Sequence, residues 1–197
     1  MIKKYGVIGT AKLVTSLIYT KLFFSNARLI RLPFDIRNKR YIKIGDNFTT
    51  GFGCRIEAFP LNNKKGICLR IGKNVEINDY VHIASVSSVT IGDNVLLASK
   101  IYISDCAHGN YSGDTNHSSP DVPPNDRPLS AKEILIKDNV WLGEFVTVLP
   151  GVIIGKGTIV GANAVVSKSL PDYVIAVGNP AKPIKTFNFE SRRWEQY

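Results

Sequence analysis

Proton-transfer chemistry near neutral pH has few places to reside in this 197-residue chain, which contains only three histidines, His82, His108 and His117. His108 stands in Ile103-Ser104-Asp105-Cys106-Ala107-His108-Gly109, where a regular pattern breaks into a long polar segment. A residue at such a junction is held by a rigid scaffold and still reaches a ligand. An imidazole there can act as general base toward a hydroxyl. Asp105, close by in sequence, is a candidate to orient the imidazole or to grip an acceptor. His117 lies inside the polar segment and His82 within the regular pattern, and both read as structural. Cys54, Cys68 and Cys106 lack the spacing of a metal motif such as C-x-x-C, and an odd, sparse set points to a reducing compartment.

The element that must position these residues announces itself as a repeat. A five-residue phrase returns at Ile44–Phe48, Ile71–Val75, Ile91–Val95 and Ile136–Val140, and more loosely at Ile154–Thr158. The finer period is six, with aliphatic residues at Ile71, Ile77 and Ile83, at Ile91, Leu97 and Ile103, and at Ile136, Leu142, Val148, Ile154, Val160 and Val166. A helix has no such period. One inward aliphatic per hexad, with Gly, Asn or Asp at a corner, suits a short strand followed by a turn. Three hexads close one triangular coil. Stacking coils at about 4.8 Å turns each aliphatic position into a buried ladder.

Spacing locates the insertions. Ile136 to Ile154 is one uninterrupted coil of 18 residues, whereas Ile44 to Ile71 is 27, with the excess placed at Pro60 to Gly66. Ile91 to Ile136 is 45, so a long loop must leave the prism over residues 106–133. Such excursions are usually functional or disordered.

The formal net charge of +9 is concentrated before the repeats: residues 1–43 hold ten Lys or Arg and one acid, and the remainder balances. The spacing predicts an amphipathic helix over Val7 to Phe24, with Val7, Ile8, Ala11, Val14, Ile18 and Leu22 near one face, Leu13, Leu17, Phe23 and Phe24 widening it, and Lys12 and Lys21 interrupting it. That face either caps the open end of the prism or meets an anionic lipid surface, since the same residues suit both. The run is too short and too polar for a membrane span, and no cleavable signal is read. The basic segment carries no nucleic-acid-binding motif.

Taken together, the hexads, the loop rooted at His108, Val140-Trp141-Leu142-Gly143 and Gly178-Asn179-Pro180-Ala181-Lys182 resemble the hexapeptide-repeat acyltransferases over about residues 40–185. Within that family the chain looks most like the sugar O-acetyltransferases, particularly those of lipopolysaccharide O-antigen or capsule. The resemblance implies an all-β repeat fold, a left-handed parallel β-helix with a short N-terminal helix and a long excursion loop. Its expected divisions are 1–43 for the helix and basic capping segment, 44–185 for the acetyltransferase domain with loop 106–133, and 186–197 for a tail read as a short helix.

The resemblance also implies acetyl-CoA as co-substrate, with no metal, and a saccharide acceptor that is free, nucleotide-linked or lipid-linked. His108 falls on the catalytic base and Asn78 on an asparagine that contacts the acceptor, with Tyr80 beside it. Trp141 matches a tryptophan next to the acetyl donor. Glu144 replaces a small hydroxyl residue whose backbone N–H faces the thioester carbonyl. Ala162 and Ser167 are expected together on the edge that binds pantetheine, with Lys168, Lys182 and Lys185 toward the nucleotide. Relatives form trimers with sites between neighbouring prisms, so Asn78 and His108 are expected to meet across a subunit boundary. The expected location is cytoplasmic, peripheral at the inner membrane face if residues 1–43 touch lipid. Two rival readings stay open: a carbonic-anhydrase-like metalloenzyme using the three histidines, and a non-catalytic β-helix scaffold.

Overall fold

A computed structural model describes residues 2–61 and 65–197. The chain visits three parallel sheets in strict rotation, laying one short strand on each before it rises to the next coil. The first face stacks Phe34–Arg37, Cys54–Ala58, His82–Ser85, Tyr102–Ser104, Thr147–Val148 and Val165–Val166. On the second face lie Ile42–Ile44, Leu69–Ile71, Val89–Ile91, Ile134–Ile136 and Ile153–Ile154. The third holds Thr49–Thr50, Glu76–Ile77, Leu96–Leu97, Trp141–Leu142, Ile159–Val160 and Val174–Val177.

The hexad aliphatics form the ladders that the period predicts. Ile56, Ile83, Ile103, Val148 and Val166 are in register and fully buried on the first face. Ile77, Leu97, Leu142 and Val160 do the same on the third.

The five-residue phrase is the corner between the second and third faces. Asn47, Asn74, Asn94 and Asn139 sit there at φ between 56° and 60°, a conformation that asparagine tolerates better than most side chains. Their amides stack, Asn47 donating to Asn74 and Asn74 to Asn94, each at 3.0 Å. At Gly45, on the same corner, glycine is required because a Cβ would stand 2.5 Å from the Gly72 carbonyl oxygen.

The N-terminal helix α1 runs over Ile2–Phe23 and is broken at Gly6. It lies against the start of the stack, but not through the face that the sequence nominates. Its buried residues are Ser16 and Thr20. Ser16 Oγ accepts from the Leu32 N–H at 3.1 Å, and Thr20 Oγ1 accepts from the Ile30 N–H at 2.8 Å. Val7, Ile8, Val14, Ile18 and Leu22 are exposed. Capping through that stripe is therefore corrected to capping through the opposite face, where Tyr19 packs against the core beside Ser16 and Thr20 and Phe24 is buried just past the helix.

Two further expectations are revised. The stack already begins at Leu29, which bridges to Thr49, so part of residues 1–43 belongs to the first coil. The tail is not helical: Lys182–Asn188 folds back antiparallel on Val174–Val177 and pairs with Arg193–Gln196. Phe187 against Trp194, ring centroids 5.2 Å apart, and Tyr173 against Phe189 at 4.9 Å close that hairpin. The insertion expected at Pro60 to Gly66 falls partly on residues 62–64, outside the described residues.

Candidate active site

The expected site residues separate onto two edges of the first face. Asn78, Tyr80, Glu144 and Ala162 precede its strands, on the edge shared with the third face. The backbone ladder along that edge runs from Asn78 N–H to Leu97, from Ala98 to Leu142, from Gly143 to Val160 and from Gly161 to Ala176, all at 2.8–2.9 Å. His108, Ser167 and Lys168 follow the first-face strands, on the opposite edge. Between the edges, the four-residue strand His82–Ser85 spans about 13 Å at the usual rise. Ala162 and Ser167 therefore do not share an edge as expected, because the Val165–Val166 strand lies between them.

On the first edge, asparagine is replaced by bulky residues at the left-handed position. Tyr80, Lys100 and Phe145 have φ of 57°, 58° and 59°. This conformation costs a side chain with a Cβ roughly 1–2 kcal/mol. Tyr80 stacks edge-on with Phe52, centroids 5.6 Å apart, and the Lys100 ammonium lies 4.8 Å from the centre of the Phe145 ring. Sequence reasoning missed Phe52, Lys100 and Phe145. Lys100 and Phe145 had a signal, since each stands six residues after an asparagine of the other corner, Asn94 and Asn139, whereas at the matching place beside Phe52 stands Gly53. Trp141 is half exposed on the adjoining third face, in register with Leu96 and Ile159.

Among the described residues, the backbone N–H groups of Glu144 and Ala162 have no acceptor within the chain, while the Glu144 carbonyl accepts from Asn163 at 2.8 Å. Gly143 allows this tight approach: a Cβ there would meet the Ala162 nitrogen at 2.8 Å. Outward amides of this kind suit a thioester carbonyl or an amide of pantetheine. The substitution to glutamate leaves the backbone donor in place, with the side chain exposed. Lys182 pairs with Val177 and so reaches the first edge, whereas Lys185 pairs with Ile175 on the third face.

On the second edge, Cys106–His108 forms an antiparallel ladder with Leu129–Ala131, so the excursion is rooted as a hairpin. The Tyr111 hydroxyl donates to the His108 carbonyl, and Arg127 donates to that hydroxyl at 2.7 Å. Arg127 also donates to the carbonyls of Val122 at 2.8 Å and Pro120 at 3.2 Å. One guanidinium thus ties the loop to the backbone of His108, a role with no signal in sequence. The His108 imidazole makes no hydrogen bond to any described residue and is exposed.

Asp105 is corrected. It is fully buried, and its carboxylate accepts from Ser85 Oγ at 3.1 Å and from the N–H groups of Val86, Ser87 and Ser88 at 2.9, 2.8 and 2.7 Å. It holds a turn of the preceding coil and makes no bond to His108. His82, on the first face, has its Nε2 2.8 Å from Glu57 and its Nδ1 3.2 Å from Arg55. His117 contacts the Asp114 carbonyl at 2.8 Å. No group of three His, Cys, Asp or Glu gathers for a metal ion among the described residues.

Comparison with known proteins follows the same line. Residues 133–168 match the bacterial transferase hexapeptide (six repeats) family model. The chain is 47% identical over 194 residues to WbbJ of Escherichia coli strain K12, named as a lipopolysaccharide biosynthesis O-acetyl transferase, covering 98% of this chain and 96% of that one. It is 33% identical over 157 residues to the galactoside O-acetyltransferase of the same strain, covering 79% and 72%. Among solved structures, AntD, an N-acyltransferase from Bacillus cereus in complex with dTDP and 3-hydroxybutyryl-CoA, superposes with a TM-score of 0.61 at 25% identity, covering 89% of both chains. The chain belongs to the hexapeptide-repeat acyltransferase family.

Proposed function

We propose that this protein transfers the acetyl group of acetyl-CoA to a hydroxyl of a saccharide unit of a bacterial surface polysaccharide, at a site built between neighbouring chains. The observation that carries the reading is the division of the expected residues between two edges of one face. In a trimer of left-handed prisms, the Asn78 edge of one chain meets the His108 edge of the next. His108 then takes the proton of the acceptor hydroxyl as that oxygen attacks the thioester carbonyl. The carbon–sulfur bond breaks, an ester forms, and the departing thiolate recovers a proton.

The free N–H of Glu144 is placed to receive the developing oxyanion, and Asn78 with Tyr80 to hold the acceptor. Ala162 on one edge, with Trp141 on the adjoining third face, and Ser167 with Lys168 on the other edge, flank the pantetheine arm. Lys182 and Lys185 lie toward the phosphates, where lysine acts as a point charge. General base catalysis supplies roughly 10²- to 10⁴-fold, leaving positioning and oxyanion stabilisation as the larger share.

No helix among the described residues is long and apolar enough to cross a membrane. No disulfide joins Cys54, Cys68 and Cys106, which supports a reducing, cytoplasmic location. A lipid-linked acceptor would bring the enzyme to the inner membrane face through residues 1–43.

The test is release of free CoA from acetyl-CoA across a panel of sugars and glycolipid precursors, with His108→Ala beside the wild type. Acceptor-dependent release that collapses in the variant is expected. Release unaffected by the substitution sinks the assigned base, and no release with any acceptor sinks the transferase reading.

A further inference from the structure

Helix α1 is inverted with respect to its surroundings. It binds the body of the protein through the hydroxyls of Ser16 and Thr20 and the ring of Tyr19, which packs against the core, and Lys39 donates to the Phe23 carbonyl at 2.8 Å to close its C-terminal end. The opposite stripe, Val7, Ala11, Val14, Ile18 and Leu22, recurs at helical spacing and faces outward. Val7 and Leu22 are each 72% exposed and Ile18 57%. An apolar stripe that packing does not use must be held in water at a cost unless something covers it.

The charge around the stripe selects the cover. The helix holds Lys3, Lys4, Lys12 and Lys21 with no acid, and all four are exposed. Arg28, Arg31, Arg40 and Lys43 are exposed in the segment that follows, and Arg31 lines a cleft together with Tyr5 and Lys12 of the helix. A second copy of the chain would bring two such segments together against their repulsion. An anionic lipid surface complements both the apolar stripe and the cations.

We propose that the outward face of α1 lies in the headgroup region of an anionic membrane, docking the enzyme with its axis fixed relative to the lipid. The inference rests on the reading above only for its purpose, delivery to a lipid-linked acceptor, and its test is independent of turnover. Gly6, at φ 67°, separates Ile2 to Tyr5 from the rest of the helix and lets the first turn adjust to the surface.

The experiment is co-sedimentation of the full chain with vesicles of phosphatidylglycerol and phosphatidylethanolamine, against vesicles of phosphatidylcholine alone. Beside the wild type stands the double variant Ile18→Glu, Leu22→Glu, whose positions are exposed and outside the catalytic machinery. The wild type is expected to sediment with the anionic vesicles only, less so as salt rises. The variant should lose about tenfold or more in binding, with unchanged acetyl transfer to a soluble sugar measured without vesicles. Wild type that stays in the supernatant, or a variant that binds equally well, overturns the proposal. A variant whose sedimentation velocity shows a smaller assembly also overturns it, because the face then joins copies of the chain. Loss of transfer in the wild type itself would count against the enzymatic reading and leave the lipid result standing.

Discussion

Asp105 separates two accounts of the region around His108. As a partner of the imidazole it would control turnover; as the anchor of the Ser85–Ser88 turn it should control stability. The structure favours the anchor, since the carboxylate accepts three backbone N–H groups and one hydroxyl at 2.7–3.1 Å while fully buried. Hydrogen bonds to a charged acceptor contribute roughly 1.5–3 kcal/mol each, and a buried donor left unpaired costs about 1–3 kcal/mol. Val86 is buried, whereas Ser87 and Ser88 are half-buried and can recruit water. Asp105→Ala should therefore cost about 3 kcal/mol in net terms. For a chain of this size that corresponds to a fall in thermal midpoint of about 6–12 °C. Asp105→Asn, which keeps one acceptor oxygen, should fall part of the way. The assay is thermal unfolding by circular dichroism beside kcat per folded molecule. A midpoint within about 2 °C of wild type, or a kcat loss like that of His108→Ala at unchanged stability, would refute the anchor.

Other outcomes follow from the same geometry. Arg127→Ala removes the link through Tyr111 to the His108 carbonyl, so kcat should fall roughly three- to tenfold, with little change in KM for acetyl-CoA. Tyr111→Phe should move kcat in the same direction, and an unaltered kcat in both variants would show that the tie only orders the loop. Burial pushes the Cys54 thiol up to about 11, which keeps it in the unreactive protonated form well above neutral pH. Iodoacetamide at pH 8, read by peptide mass, should mark half-buried Cys106 first, and rapid labelling of Cys54 in native protein would contradict its burial.

The coil architecture was legible because its determinants are local. One inward aliphatic per hexad and an asparagine at the left-handed corner between the second and third faces are properties of single residues, and the excess lengths named the excursions. Orientation was not local. The stripe Val7 to Leu22 has the same period whether it faces protein or lipid, and what settles it is the pairing of Ser16 and Thr20 with the backbone of Leu32 and Ile30, far along the chain. Asp105 misled because nearness in sequence to His108 was read as nearness of side chains, while its partners belong to the preceding coil. Ala162 and Ser167 misled similarly: five residues apart, they are divided by a complete strand. The tail carried too few residues for a period, and its aromatic contacts with Tyr173 and with one another decide for strands.

The central claim is that one site draws on two chains. The most direct measurement is turnover of assemblies formed by unfolding and refolding an equal mixture of Asn78→Ala and His108→Ala chains, each of low activity alone. If a site takes its Asn78 edge from one chain and its His108 edge from the next, random mixing leaves about a quarter of sites with both residues intact, and about a quarter of wild-type activity should return. If each site lies within a single chain, no mixed assembly contains an intact site. Activity no higher than that of the separate variants would contradict the account.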